Sequence, residues 1–405
     1  RGDIMAYPLK KLFHMDRAKY EEEYLKRFNS PDAVHFDFKI SGEQAFMCQT
    51  PEILNTIISI ERTDKHVRSL HKDLPLAAIN QFANRCLIDE IVLSNNIEGV
   101  HSTRRELSAI LNDLSGKNKR QRFYGLVNKY KALMTTDNIP LEKCEDVRKI
   151  YDDIFLDEIK QDDPKNVPDG KIFRKDSVSV YSPTDKEIHK GLNPEEKIIE
   201  AMDSALKLLK NEKLDILVRI SLFHYLFGYI HPFYDGNGRT SRFISSYLLS
   251  QELDNLIGYR ISYTIKENIS KYYKAFDICN HPLNKGDLTP FAEMFLNIID
   301  ISIKQLLSAL EKRVSELEHF KSLLEQMLSD ETERVKSLYF ILVQAALFSN
   351  VGITAQELSG YLDISPNTLR TMLKKIPQDL LITDKSEKEY HYLMNLGELD
   401  RICSR

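Results

Sequence analysis

Cysteine is scarce and scattered in this chain. The 405 residues hold five (Cys48, Cys86, Cys144, Cys279, Cys403), an odd number with no C-x-x-C spacing. A disulfide framework or zinc ribbon is therefore not expected, and a reducing, cytoplasmic setting is. Long apolar runs are missing too. The longest, near 214–230, contains Asp215, Arg219 and His224, so it is expected to be a buried helix, with no membrane partner. No secretory signal is legible in the opening RGDIMAYPLKK. Neither sign of charge dominates: 56 Lys and Arg stand against 60 Asp and Glu, a net charge of -4. That balance argues against a chain-wide nucleic-acid binder and leaves room for a local basic patch. Internal repeats and low-complexity tracts are also absent. The length and the 42 % hydrophobic fraction predict two or three domains with at least one sizeable core.

What is present is overwhelmingly helical in pattern. Residues 1–74 are mixed, with an extended piece expected at AVHFDFKI, which alternates apolar and polar. From Leu76 to Ile97 apolar residues recur at helical spacing, and Glu98-Gly99 supplies a stop signal. Residues 160–170 are charged and rich in Pro and Gly, hence a loop. KIFRKDSVSVYSP, with Val178 and Val180 in alternation and an end at Pro183, is the best strand or hairpin candidate. Asn193-Pro194 predicts a helix start with Asn193 as cap. Further helices are expected over 195–211, 214–230, 239–253 and roughly 290–328. In the tail, 334–349 reads as one helix, Thr354-x-x-Glu357 opens a second and Ser365-Pro366 a third, before two short strands. Three helices and a hairpin predict a winged helix-turn-helix.

One stretch carries chemistry: HPFYDGNGRTSR, residues 231–242. Glycines around Asn237 let main-chain N–H groups approach a ligand. A helix expected to begin near Arg239 would point its free N–H groups and positive dipole end at that turn. Arg239 and Arg242, three apart, rise from neighbouring positions, and two guanidiniums beside a helix N-terminus suit a polyphosphate. Asp235 would repel phosphate alone but would bridge to it through Mg²⁺. His231, at the end of the preceding helix, can take a proton from a hydroxyl. The stretch is no Walker loop, and Arg239 and Thr240 stand where a calcium loop needs a ligand and a glycine. On spacing alone a turn between helices remains the competing reading.

HPFYDGNGRTSR resembles the Fic-family motif H-P-F-x-D-G-N-G-R-x-x-R at every fixed position. The resemblance implies a mainly α protein with a Fic-type helical core and a β-hairpin flap, transferring AMP from ATP to a protein hydroxyl. Carried over by position, His231 would be the general base and Asp235 the Mg²⁺ ligand. Gly236, Asn237 and Gly238 would form the anion hole, with Asn237 reaching the α-phosphate, Arg239 the β-phosphate and Arg242 the γ-phosphate. Thr240 and Ser241 would complete the ATP-binding turn. Gly238, where the kinase-like Doc branch has Lys, favours nucleotidyl transfer. Residues 171–183 resemble the flap that pairs with an extended target segment. SYTIKENISKYYKAF resembles the segment beside the base, placing Asn268 and Tyr273 near adenine or ribose. Gly228 departs from relatives that carry Glu there.

LSNNIEGV then fits the family's inhibitory motif [S/T]-x-x-x-E-[G/N] through Ser94, Glu98 and Gly99. A carboxylate paired with Arg242 would take the place of the γ-phosphate and misplace ATP. The expected division is a mixed N-terminal region (1–74), an inhibitory helix and Fic core (75–300), a connecting helix (301–330) and a winged helix-like domain (331–405). The tail balances nine Lys and Arg against ten Asp and Glu, so protein docking or self-association is expected there ahead of DNA contact. Self-modification and homodimerisation are further expectations. A nucleotide-sensing transcriptional regulator and a de-AMPylating enzyme using Glu98 are the alternatives. The intact His231 speaks for an enzyme, since a sensor needs no base.

Overall fold

The computed structural model describes residues 7–112, 121–133, 138–181, 187–385 and 389–403; the expected flap end at Pro183 lies outside them. In chain order the helices and strands are α1 (Leu9–Met15), α2 (Arg17–Phe28), β1 (Ala33–Ile40), β2 (Glu43–Cys48), α3 (Pro51–Asp73), α4 (Leu76–Ile97), α5 (Arg104–Asn112), α6 (Tyr124–Ala132), α7 (Cys144–Asp162), β3 (Ser179–Tyr181), β4 (Glu187–Lys190), α8 (Glu195–Leu209), α9 (Ile216–Ile230), α10 (Asn237–Glu252), α11 (Ile261–Glu267), α12 (Ile269–Asn280), α13 (Thr289–Met327), α14 (Glu333–Phe348), β5 (Ile353–Thr354), α15 (Ala355–Leu362), α16 (Pro366–Leu373), β6 (Leu381–Asp384), β7 (His391–Met394) and α17 (Leu396–Cys403). Two compact units result, Arg1–Asp64 with Asp89–Ile303, and Lys65–Ile88 with Lys304–Arg405. None of the described helices is long and apolar enough to cross a membrane.

In the first unit, the alternating AVHFDFKI forms β1 as expected and pairs antiparallel with β2. The hairpin is fixed by Phe46, whose main chain bonds Gly286 and Leu288. Beside it Arg27 donates to Glu23 (2.9 Å) and Asp287 (3.2 Å), all three side chains buried. α9 is apolar almost all round and is buried accordingly. Its polar exceptions have partners: the Asp215 carboxylate caps Leu217 N–H, and His224 is bonded at both ring nitrogens.

Three local expectations change. α8 starts at Glu195 with Pro194 at the cap position. Asn193 does not cap it, because its amide donates to the Lys175 carbonyl at 2.9 Å. α7 runs on to Asp162, and a short 3-10 turn follows at Pro164–Asn166, so the 160–170 loop is partly helical. α10 begins at Asn237, two residues before Arg239, with Gly236 as its cap in the left-handed conformation (φ 77).

In the second unit, β5, β7 and β6 form a three-stranded antiparallel sheet in that order. Both expected caps are present: Thr354 and Glu357 close a reciprocal capping box on α15, and the Ser365 hydroxyl accepts from Thr368 N–H on α16. α16 buries Leu369 and Leu373 and exposes Asn367, Arg370 and Thr371, with Lys374 and Lys375 exposed just beyond it. Within this unit the start of α4 contributes Ala78, whose N–H donates to the Gln344 side chain (3.1 Å). Asn80 likewise donates to the Tyr361 hydroxyl (2.8 Å).

Candidate active site

The end of α9 and the start of α10 bring residues 231–242 together, and α4 meets them. Arg242, on the first turns of α10, is almost wholly buried. Its Nε donates to the Ser94 hydroxyl (3.0 Å) and its Nη2 to the Ser94 carbonyl (2.9 Å). Its Nη1 lies 2.7 Å from Glu98 Oε1. Burial works against the charge on Arg242, and the Glu98 carboxylate more than offsets it, so the guanidinium pKa is raised. Glu98 follows the last turn of α4 and is one-third exposed, and Gly99 leaves the helix at φ 74.

The Glu98 carboxylate does more than pair. It sits directly against the Cα of Gly238, so a methyl group added there would overlap it. A carboxylate therefore already fills the space beside Gly238, on the first turn of α10.

Asp235 is half-exposed. One carboxylate oxygen accepts from Gly236 N–H (2.6 Å) and the other lies 3.9 Å from Arg239 Nη2. A single carboxylate fits Mg²⁺, which takes one or two carboxylates and fills its remaining positions with phosphate oxygens and water. Among the described residues no cluster of three His, Cys, Asp or Glu side chains offers an all-protein metal cage.

Other motif residues have local partners. Asn237 accepts from Phe233 N–H (2.9 Å) and donates to Phe233 C=O (2.8 Å), which leaves one amide hydrogen for an anion. The Thr240 hydroxyl bonds the Gly236 carbonyl, and the Ser241 hydroxyl bonds His224. Arg239 is 2 % exposed, bonds Glu158 of α7 at 2.6 Å and lies over the Phe155 ring. The guanidinium assigned to the β-phosphate thus already shares a buried carboxylate.

His231 caps α9 in the left-handed region (φ 53) and is half-buried. Burial lowers its pKa to about 4, helped by the charges of His189 and Arg174 and opposed by Glu98. The ring is therefore neutral near pH 7 and able to accept a proton.

Tyr273 is half-exposed. Burial raises its pKa first and the Glu98 charge adds to that, so the ring lies within electrostatic reach of the pair. Asn268 instead joins α11 to α12, its amide donating to the Thr264 carbonyl (3.1 Å). Gly228 packs on Phe276, whose ring a methyl group would approach to 2.7 Å, so a larger side chain there requires that ring to move. The residues that sequence reasoning missed are Glu158, Arg174 and the buried His224–Tyr272 pair (2.8 Å). Each is a single residue outside the motif, and no local pattern marks it.

Residues 141–249 match the model of the Fic/DOC family. That stretch is a Fic domain. It runs from just before α7 into α10, and so holds His231 to Arg242 but not Ser94 and Glu98. The protein adenylyltransferase Fic of Drosophila sechellia is 32 % identical over 118 residues, 29 % of this chain and 21 % of that protein. The protein of the same name from Aedes aegypti is 35 % identical over 103 residues, 25 % of this chain and 18 % of its own length. The chain thus spans about a fifth of the curated relatives it matches. Among solved structures, a Fic family protein from Desulfovibrio desulfuricans G20 aligns with a TM-score of 0.52 at 20 % identity, over 85 % of this chain and 96 % of that one. That likeness shows the fold.

Proposed function

We propose that the Fic domain transfers AMP from ATP to a hydroxyl side chain of a protein, and that Glu98 restrains it. The observation that carries the reading is the Glu98 carboxylate lying against Gly238 while paired with Arg242. A site that holds an anion between a helix N-terminus and a buried guanidinium is one that suits phosphate. In the reaction, the acceptor oxygen attacks the α-phosphorus, the bond from that phosphorus to the oxygen bridging to the β-phosphate breaks, and pyrophosphate leaves. The acceptor proton passes to neutral His231. Asp235 would hold Mg²⁺, which neutralises phosphate charge when bound. Arg242 would take the γ-phosphate only once Glu98 withdraws, so ATP seated beside Glu98 is out of line for attack.

The target would lie along residues 171–183, where β3 offers a strand edge, and the same geometry allows self-modification. A cytoplasmic setting and a homodimer complete this reading. The tail suits a winged helix-turn-helix used for docking, with DNA contact through the exposed Arg370, Lys374 and Lys375 as the weaker alternative. Glu98 is one-third exposed, which favours a second activity: once released, it could orient a water for removal of AMP.

Mass spectrometry of the Glu98→Gly protein incubated with ATP, Mg²⁺ and a lysate of its own cells tests the reading. Peptides gaining the mass of AMP are expected, and their loss in Glu98→Gly/His231→Ala. No modified peptide, or equal modification without His231, would overturn it.

A further inference from the structure

Arg174 lies in the irregular segment before β3, and its side chain is fully buried. Among the described residues no carboxylate pairs with it. Its charge is met by main-chain carbonyls: Nε donates to His231 O (2.9 Å), Nη2 to Leu192 O (2.8 Å) and Nη1 to Asp176 O (2.5 Å). Burying a cation without a counter-ion is costly, and burial lowers the Arg174 pKa. The rigid guanidinium fork suits holding several acceptors at once.

Three chain segments meet around this guanidinium. Main-chain bonds join Arg174 N to Pro232 O (3.3 Å), Leu192 N to Ile230 O (3.1 Å) and Gly191 N to Val178 O (3.0 Å). Gly191 leaves no space: a methyl group there would stand 2.5 Å from Arg174 Nη2 and 3.0 Å from His231 Cβ. Arg174 therefore ties both ends of the β3–β4 hairpin to the main chain of His231. That histidine holds a positive φ, a conformation a non-glycine residue keeps only when its surroundings enforce it.

We propose that Arg174 is a positioning residue: it holds the hairpin and His231 in one frame, so that an acceptor hydroxyl laid on the hairpin meets the base in register. This rests on the reading of His231 as base and of the hairpin as target-binding flap. Among the described residues no hydrogen bond or ion pair joins Arg174 to Glu98 or to the start of α10, so nucleotide binding should be indifferent to it.

The test uses the full chain carrying Glu98→Gly, with Arg174→Lys, Arg174→Gln or Gly191→Ala added. Gly191→Ala crowds the same guanidinium without removing it. AMP transfer from labelled ATP/Mg²⁺ into protein of the cell lysate is measured beside ATP affinity by calorimetry. The His231 ring is followed by NMR, assigned by its absence in His231→Ala. All three variants should lower kcat by about a hundredfold, the scale of an ångström of misplacement, with ATP affinity within about twofold. Each should shift the His231 signal. The charges facing that ring are His189 of β4, Arg174 and, in the unmodified chain, Glu98. Arg174→Gln should thus raise the His231 pKa, while Arg174→Lys keeps it near the parent value without restoring kcat.

Full kcat in Arg174→Lys, weakened ATP binding with kcat intact, or an unmoved His231 signal would overturn the proposal. The signal and pKa shifts do not depend on activity. If His231→Ala kept transfer while Arg174 variants still moved the ring, the base reading would fall and the clamp would stand.

Discussion

Arg242 Nη1 and Glu98 Oε1 lie 2.7 Å apart, and the same carboxylate fills the space over Gly238. One acidic side chain from the end of α4 thereby meets both a buried guanidinium and a glycine on the first turn of α10.

Under the proposed function, removing that carboxylate should release AMP transfer. Glu98→Gly is expected to raise AMP incorporation from labelled ATP about ten- to a thousandfold, as a few kcal/mol convert at about 1.4 per tenfold. Ser94→Ala should raise it less, because Arg242 keeps Glu98 and the Ser94 carbonyl. An unchanged rate in Glu98→Gly would remove the restraint from the account.

Gly238→Ala should destabilise the protein by about 1–3 kcal/mol, the usual cost of overpacking, since the new methyl meets Glu98 and stands 3.0 Å from Arg242 Nη1. In a Glu98→Gly background the cost should shrink. Urea unfolding of the four proteins forms a double-mutant cycle. The same cost in both backgrounds would mean the carboxylate does not hold that space.

Glu90 of α4 is fully buried and accepts from Ser262 N–H and hydroxyl. Burial raises its pKa to about 7, against the bonds from Ser262 and the charges of Arg242 and Arg260. Between about pH 4.5, the ordinary value, and pH 7 the folded chain keeps a proton that the unfolded chain has lost. Stability should therefore fall as pH rises through that window, by about 1.4 kcal/mol per unit at most. Glu90→Gln should remove this slope. Parallel pH–stability curves for the two proteins would contradict the assignment.

Arg27→Met leaves Asp287 buried without its guanidinium partner, while Glu23 keeps the Lys26 ammonium at 3.7 Å. A loss of about 3–5 kcal/mol is expected in urea unfolding. A loss below about 1 kcal/mol would show that these buried ion pairs contribute little to the first unit's stability.

Much of this molecule was legible because its signals are local. The alternation in AVHFDFKI yields β1, the Glu98-Gly99 stop ends α4, and the capping residues Thr354 and Ser365 start α15 and α16 where expected. Errors arose where a side chain bonded a main-chain group that the local pattern does not mark. Asn193 reads as a helix cap, but the Lys175 carbonyl takes its amide. Asn237 reads as a loop residue, yet by clasping Phe233 it becomes the first residue of α10.

By itself, the sequence determined which donors, acceptors and glycines stand in order from His231 to Arg242, and that a carboxylate ends a helix at Glu98. These are properties of adjacent residues and of helical period. Only the tertiary structure decided that Glu98 lies on Gly238, that Glu158 holds Arg239 and that Arg174 holds His231. Such pairings depend on distance in space and on the removal of water, and neither is set by neighbours along the chain.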